Sequence, residues 1–219
     1  MSDQMPNFVG LMSWFAALAS LAFVAVMMTS FIKLSVVLFL LRNALGVQQT
    51  PPNMVLYGIA LLLTSYIMAP VGKAAYEAVF VSGGSFTNTA DYLAAASRAE
   101  EPLKAFLLRF TDDRERRFLT EETKRVWGPD ARIDATPDDM TIVVPSFVLS
   151  ELRRSFEIGF LLYLPFIAVD LVITAVLMAM GMSSVSPTTI SVPFKLFLFV
   201  AAEGWTRLIH GLILSYGVR

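Results

Sequence analysis

The segment SFVLSELRRSFEIGFLLYLPFIAVDLVITAVLMAMGM, residues 146–182, decides the fold class of this chain. Its last 25 residues, 158–182, carry a single charge, Asp170, and an α-helix needs about 20 residues to cross a bilayer. Over the whole chain 56% of residues are hydrophobic and the mean hydropathy is +0.64, whereas ordinary soluble domains contain roughly 45–50% apolar residues. The composition therefore indicates a membrane protein built from long helices.

Three other segments have the same apolar character. Residues 8–41 carry no charge except Lys33, and as one helix this run of 34 residues would be about 50 Å long. Residues 54–71 follow a turn that contains Gly46 and two prolines, and residues 194–217 follow the polar stretch SSVSPTTISVP. The sequence predicts an all-α membrane protein whose four hydrophobic helices form two long helical hairpins.

The middle of the chain is hydrophilic. Residues 82–145 hold nine Lys or Arg and twelve Asp or Glu, which predicts that this region is exposed to water. The stretches DYLAAASRAEEPLKAFLLRF and DDRERRFLTEETKRVW have apolar residues at helical spacing and predict two amphipathic helices, and residues 129–145 resemble a loop. We therefore expect an N-terminal hairpin in residues 1–80, a hydrophilic and mostly helical region in 81–145, and a C-terminal hairpin in 146–219.

Several function classes are disfavoured by composition. The net charge of −1 gives no basic surface for nucleic acid. The chain has no cysteine and a single histidine, so it lacks the residues of thiolate or histidine-rich metal sites. No nucleotide-binding or hydrolase motif occurs. We expect neither a cofactor nor an enzymatic activity.

Two opposite charges interrupt the last two apolar segments. At 1.5 Å per residue, Asp170 lies about 18 Å and Lys195 about 10 Å from a turn within residues 183–187, and the long lysine side chain can span much of the difference. A charge inside a membrane normally faces protein or water and finds a partner. The sequence predicts that they pair. Three interpretations stay open: the charges fix helix register, they form a proton or ion path, or they bind other subunits of an assembly.

Further charges lie along the same segments. Glu203 and Arg207, like Arg153 and Glu157, are spaced to pair on one helix face. Lys33 shares a short Phe/Ile-Lys-Leu pattern with the surroundings of Lys195, which is either a weak internal repeat or a chance similarity. Alternate methionines at Met178, Met180 and Met182 indicate either ordinary core filling or a pliable constriction.

These residues resemble a known family. Residues 146–182 and PTTISVPFKLFLFVAAEGW, residues 187–205, resemble the two signature blocks of the FliP/YscR/SctR family, the R-type export-apparatus proteins of type III secretion systems. TSFIKLSVVLFLLRNALGVQQTPPNMVLYGIALLLT, residues 29–64, resembles the N-terminal hairpin of that family. The resemblance covers about two thirds of the chain and omits the charged middle region.

The resemblance implies a multi-pass protein of the bacterial inner membrane, in contact with lipid and with its hydrophilic region in the periplasm. It implies a homo-oligomer, a pentamer, that assembles with small S-type and T-type membrane subunits into an export gate for unfolded proteins. The chain has no cationic stretch before its first apolar segment. This resembles the virulence branch of the family, whereas flagellar relatives commonly carry a signal peptide.

The resemblance also implies a gate at the turn between the third and fourth helices. Met182 matches a pore-narrowing methionine, with Val185 and Met180 as supporting residues. Ser183 and Ser184 stand where flagellar relatives have further methionine, so this chain departs from a full methionine gasket.

Charged positions of the signature blocks recur here as Asp170, Lys195 and Glu151, and Glu203 stands where many relatives have aspartate. The resemblance implies that such charges are buried between subunits. A proton- or ion-coupled transporter that uses Asp170 and Lys195 is the alternative function.

Overall fold

A computed structural model of the protein describes residues 26–47, 49–81, 89–128, 135–182 and 184–217, together with six isolated positions before residue 26. Every regular element in these ranges is helical, which confirms the predicted all-α fold. In chain order the elements are α1 (Phe31–Ala44), α2 (Asn53–Tyr76), a short π-helix (Glu77–Val81), α3 (Thr89–Phe110), α4 (Asp113–Trp127), α5 (Met140–Ala179), α6 (Pro187–Ala201) and α7 (Gly204–Leu214).

The chain forms two compact units, one of Met1–Ile32 with Ala74–Leu149 and one of Lys33–Lys73 with Ser150–Arg219. In the first unit, α3 and α4 are the two helices predicted from amphipathic spacing. The Asp112 side chain caps α4 by accepting a hydrogen bond from the Arg114 backbone N–H at 2.9 Å, as Asp at a helix N-terminus commonly does. The composition-based division into three regions stays a prediction.

Aromatic packing holds the interior of the first unit. The Phe106 ring lies 5.0 Å from that of Phe110 and 6.0 Å from that of Phe147, centroid to centroid. Arg116 bridges Asp113 and Asp138 at 2.7 and 2.9 Å on the surface. Since exposed ion pairs contribute little to stability, the burial of apolar side chains contributes more than Arg116 does to the stability of the first unit.

The second unit is built around one face of α1. Leu34, Val37, Leu38 and Leu41 are all fully buried at the spacing of a single helical stripe. The α1–α2 connection is tight, as predicted: Gly46 ends α1 with a positive φ of 76°, and α2 begins directly after the two prolines.

Three predicted boundaries are wrong. The first apolar run is not one continuous helix, because Met28–Ser30 form a turn before α1; most of its residues before 26 lie outside the described ranges. Residues 140–145, expected in a loop, are the first turns of α5, while residues 129–134 lie outside the described ranges. The last hydrophobic helix begins at Pro187 rather than at 194, and it bends by 62° between α6 and α7.

Within the described ranges two helices, Asn53–Val81 and Met140–Ala179, are long and apolar enough to cross a membrane, and the bent pair α6–α7 makes a third if it counts as one span. With 40 residues, α5 is about 60 Å long at 1.5 Å per residue. That is about twice the roughly 30 Å of a bilayer's hydrocarbon core. The overlong element among the described helices is therefore α5.

One close helix contact positions α5 against α1. A Cβ atom on Gly159 would lie 2.3 Å from Leu40 Cδ1 and 3.3 Å from Leu40 Cβ. The absence of a side chain at Gly159 thus lets the two helices approach closely. Gly58, on α2, has no atom within 4 Å of the corresponding position.

We predict that Gly159→Leu lowers the stability of the second unit by about 1–3 kcal/mol, because the added side chain overpacks the contact with Leu40. Thermal unfolding of the full chain in mild detergent measures the effect as a lower apparent Tm. Gly58→Leu is the matched control and should not lower it. Equal Tm values for both variants would contradict the close contact.

Candidate functional site

Asp170 and Lys195 meet, as the sequence predicts. Lys195 Nζ lies 2.6 Å from Asp170 Oδ2 and also donates to the Ala44 backbone carbonyl at 3.3 Å. The lysine is 6% exposed, whereas the aspartate side chain is 41% exposed. One cation therefore joins α5, α6 and the end of α1.

The ion pair borders a polar cavity of about 480 Å³. Backbone and side chains from the end of α1 and the start of α6 complete its wall: Asn43, Gly46, Val47, Thr188, Thr189, Ser191 and Val192. Because Lys195 occupies Asp170 Oδ2 and the carboxylate stays partly exposed, this group can also accept hydrogen bonds from water or from another chain.

A second buried charge cluster centres on Glu151. Its carboxylate is fully buried and lies 3.4 Å, through Oε2, from Lys33 Nζ, which belongs to a side chain only 2% exposed. Oε1 accepts a hydrogen bond from Arg154 at 3.2 Å. Opposite charges that leave water together need such close partners to offset the loss of hydration.

Tyr216 completes this cluster. Its hydroxyl donates to Glu151 Oε2, and its ring lies under Lys33 Nζ, 3.5 Å from the ring centroid. An ionised carboxylate can only accept hydrogen bonds, so the phenol hydroxyl is the donor in this contact. A single aromatic side chain thus contacts both members of the ion pair.

The sequence singled out Lys33 and Glu151 but did not pair them, and it missed Tyr216. Each of the two charges interrupts an apolar run, so the rule that paired Asp170 with Lys195 was available for them as well. Tyr216 carried no such signal, because a tyrosine close to the end of an apolar segment is ordinary.

The predicted helical pairs on the outer faces differ in outcome. Arg153 Nε lies 3.5 Å from Glu157 Oε1, and both side chains are largely exposed. Glu203 and Arg207 form no ion pair in the part of the chain that the structure describes, and both are exposed. The expected pair is wrong because Glu203 precedes α7 with a left-handed φ of 53° and so does not share a regular helix face with Arg207.

The predicted gate residues, Met180, Met182 and Val185, lie just after the C-terminal end of α5. Gly181, with φ 72°, lets the Met182 N–H bond the Leu177 carbonyl and the Gly181 N–H bond the Met178 carbonyl, both at 3.0 Å. This is the hydrogen-bond pattern of a Schellman motif. The end of α5 is therefore a defined turn, and Ser183 lies outside the described residues.

Met180 is 66% exposed and Met182 38% exposed, while Val185 is half-buried. Both methionines line an apolar groove of about 690 Å³ between α5 and α6. Residues from the two helices, among them Val172, Val176, Ile190 and Phe194, complete it. Flexible thioether side chains are therefore free to pack against whatever occupies this face.

Comparison with known proteins assigns the chain to a family. A profile of the FliP family matches residues 14–212. The chain is 51% identical to the "Probable translocation protein y4yL" of Sinorhizobium fredii, over 99% of this chain and 97% of the relative.

Other relatives are similar over comparable lengths. The "Yop proteins translocation protein R" of Yersinia pestis is 47% identical, over 98% of this chain and 99% of the relative. The "Hypersensitivity response secretion protein HrcR" of Ralstonia nicotianae is 45% identical, over 96% of this chain and 98% of the relative. With a family match over most of its length and relatives that align from end to end, this chain is a member of the FliP family.

Proposed function

We propose that the chain is a core subunit of a type III secretion export gate, the channel through which unfolded proteins cross the inner membrane. The observation that carries this proposal is the end-to-end similarity to relatives named for the translocation or secretion of proteins. A relative of Salmonella typhimurium, 43% identical over 91% of this chain, is named "Virulence protein YscR". The chain accordingly acts in secretion as a structural component.

The exposed apolar surface supports an assembly in a membrane. On α5 alone, Phe156, Phe160, Leu161, Leu171 and Val172 are each 59–65% exposed. Apolar patches of this extent normally face lipid or another protein. Because α5 is about twice as long as the hydrocarbon core is thick, part of this surface extends beyond lipid and is best covered by neighbouring subunits.

The proposed assembly contains several copies of this chain, a pentamer, with small S-type and T-type membrane subunits. It lies in the bacterial inner membrane, with the hydrophilic region of residues 81–145 in the periplasm. The high charge of that region supports its placement in water. The gate lies at the end of α5, with Met182 as its principal residue and Val185 and Met180 beside it.

Charged side chains hold this assembly together. Asp170 contributes most directly, because Lys195 binds one of its oxygens while the carboxylate remains open to a neighbouring chain. Glu157, Glu203 and Arg207 present exposed charges that suit contacts between subunits. Glu151 and Lys33 act inside the chain and keep its helices in register.

A proton- or ion-coupled transporter is the second candidate function. It is favoured by one observation, the contact of the Asp170–Lys195 pair with a polar cavity. A carboxylate beside water and an ammonium can exchange protons. The mass of the complex purified in mild detergent separates the two functions. A gate requires a large, defined oligomer, whereas a carrier is a monomer or a simple dimer.

We predict that Lys195→Ala reduces the assembled complex on blue-native gels, and secretion by cells, by about tenfold or more, since it leaves Asp170 unpaired. Removal of both charges, in Asp170→Asn with Lys195→Met, relieves the unpaired carboxylate but also removes its contact with the neighbouring chain, so it should restore only part of the complex. Arg125→Ala is the control, because this side chain is 80% exposed. An unchanged complex in Lys195→Ala would contradict the assembly role.

A proton-flux measurement separates the two functions. Purified chain in liposomes with an internal pH-sensitive dye should show no proton flux dependent on Asp170, so Asp170→Asn and the wild type should give the same rate. Secretion-independent flux that Asp170→Asn abolishes would instead establish the transporter.

We predict that Met182→Ala makes the assembled gate leak ions several-fold faster, because shortening the side chain removes apolar volume from the constriction. Conductance of the purified complex in a planar bilayer measures the leak. Met182→Leu, which keeps the volume, should remain tight. Met54→Ala, at an 84% exposed position at the start of α2, is the control, and a Met182→Ala complex as tight as this control would exclude Met182 from the gate.

A further inference from the structure

Helix α7 begins at a sharp bend in the chain and ends beside the buried Glu151 cluster. At its start, Ala202 and Glu203 separate it from α6 with a bend of 62°. Glu203 adopts a left-handed φ of 53° and its side chain makes no cap hydrogen bond, although residues other than glycine rarely adopt this conformation. The connection is thus a break in the helix under backbone strain.

One face of α7 continues into the Glu151 cluster. Leu208, Leu212 and Tyr216 follow one another at intervals of four residues and are 9%, 2% and 8% exposed. This spacing places them in one stripe. With 11 residues, α7 makes about three turns, and this stripe is its buried face.

Tyr216 supplies the polar contacts of the stripe. Its hydroxyl donates to Glu151 and its ring stacks on the Lys33 ammonium at 3.5 Å. Arg154 holds the other carboxylate oxygen. Releasing Tyr216 would remove a hydrogen bond to a buried charge and a cation–π contact at the same time.

An apolar groove of about 670 Å³ lies along this helix. Its walls are α5, α6 and α7, and they include Ile158, Leu162, Phe166, Phe199, Leu208 and Leu212. The width of the groove is therefore coupled to the position of α7.

We propose that α7 is a hinged segment, with its hinge at Ala202–Glu203 and its latch at Tyr216. When Tyr216 is seated on Lys33 and Glu151, α7 is held along the groove. When Tyr216 is released, α7 moves as a unit, the groove opens and Leu212 becomes exposed. This conformational device goes beyond the proposed role in export and does not depend on it.

Single cysteines test the latch without background, because the sequence contains no cysteine. In the purified full chain in detergent, Leu212→Cys reports on α7 and Ala60→Cys, at a fully buried position of α2, reports on the rest of the unit. We expect Tyr216→Leu to accelerate maleimide labelling at position 212 by about tenfold or more and to leave labelling at position 60 unchanged. Tyr216→Phe, which keeps the ring over Lys33, should give an intermediate rate at position 212.

Two results would overturn the latch. Labelling at position 212 that Tyr216→Leu leaves at the wild-type rate would show that Tyr216 does not hold α7. Equal acceleration at positions 60 and 212 would show that Tyr216 supports the whole unit instead of a hinged helix. Leu214→Cys, 75% exposed, should label rapidly in every variant and controls for the reactivity of the reagent.

Discussion

A carboxylate and an ammonium that are buried among apolar side chains must lie against each other, and this constraint governs the second unit. Glu151 and Lys33 are 0% and 2% exposed, and the cost of removing each ion from water is several kcal/mol unless a close partner offsets it. Their contact sets α1 in register with α5. Tyr216 brings the residues after α7 to the same point, so three segments that are distant in sequence share one electrostatic centre.

The Asp170–Lys195 pair obeys the same constraint in a different environment. It lies beside a polar cavity, and its aspartate stays partly exposed. The Schellman turn at Gly181 ends α5, and α6 starts at Pro187, so the two charges face each other across a short connection. The Glu151 cluster is closed to solvent, whereas the Asp170 side chain stays 41% exposed.

The other main feature of the structure is its exposed apolar surface. Much of α5 exposes large apolar side chains, and its length exceeds the thickness of a bilayer core. Apolar surfaces of this extent normally face lipid or another protein. Membership of the FliP family agrees with such a surface, and two apolar grooves lie beside α6 and α7.

Long apolar runs and the charges inside them determined, from the sequence alone, the helical class, the charged middle region and the contact between Asp170 and Lys195. These depend on local composition and on the cost of an unpaired charge, which need no fold to evaluate. The tertiary structure alone decided that α5 begins before Pro145, that the last helix bends at Glu203 and that Tyr216 joins Lys33 and Glu151. A long apolar run does not reveal where it bends or which distant residue contacts it, because both depend on packing between segments that are far apart in the chain.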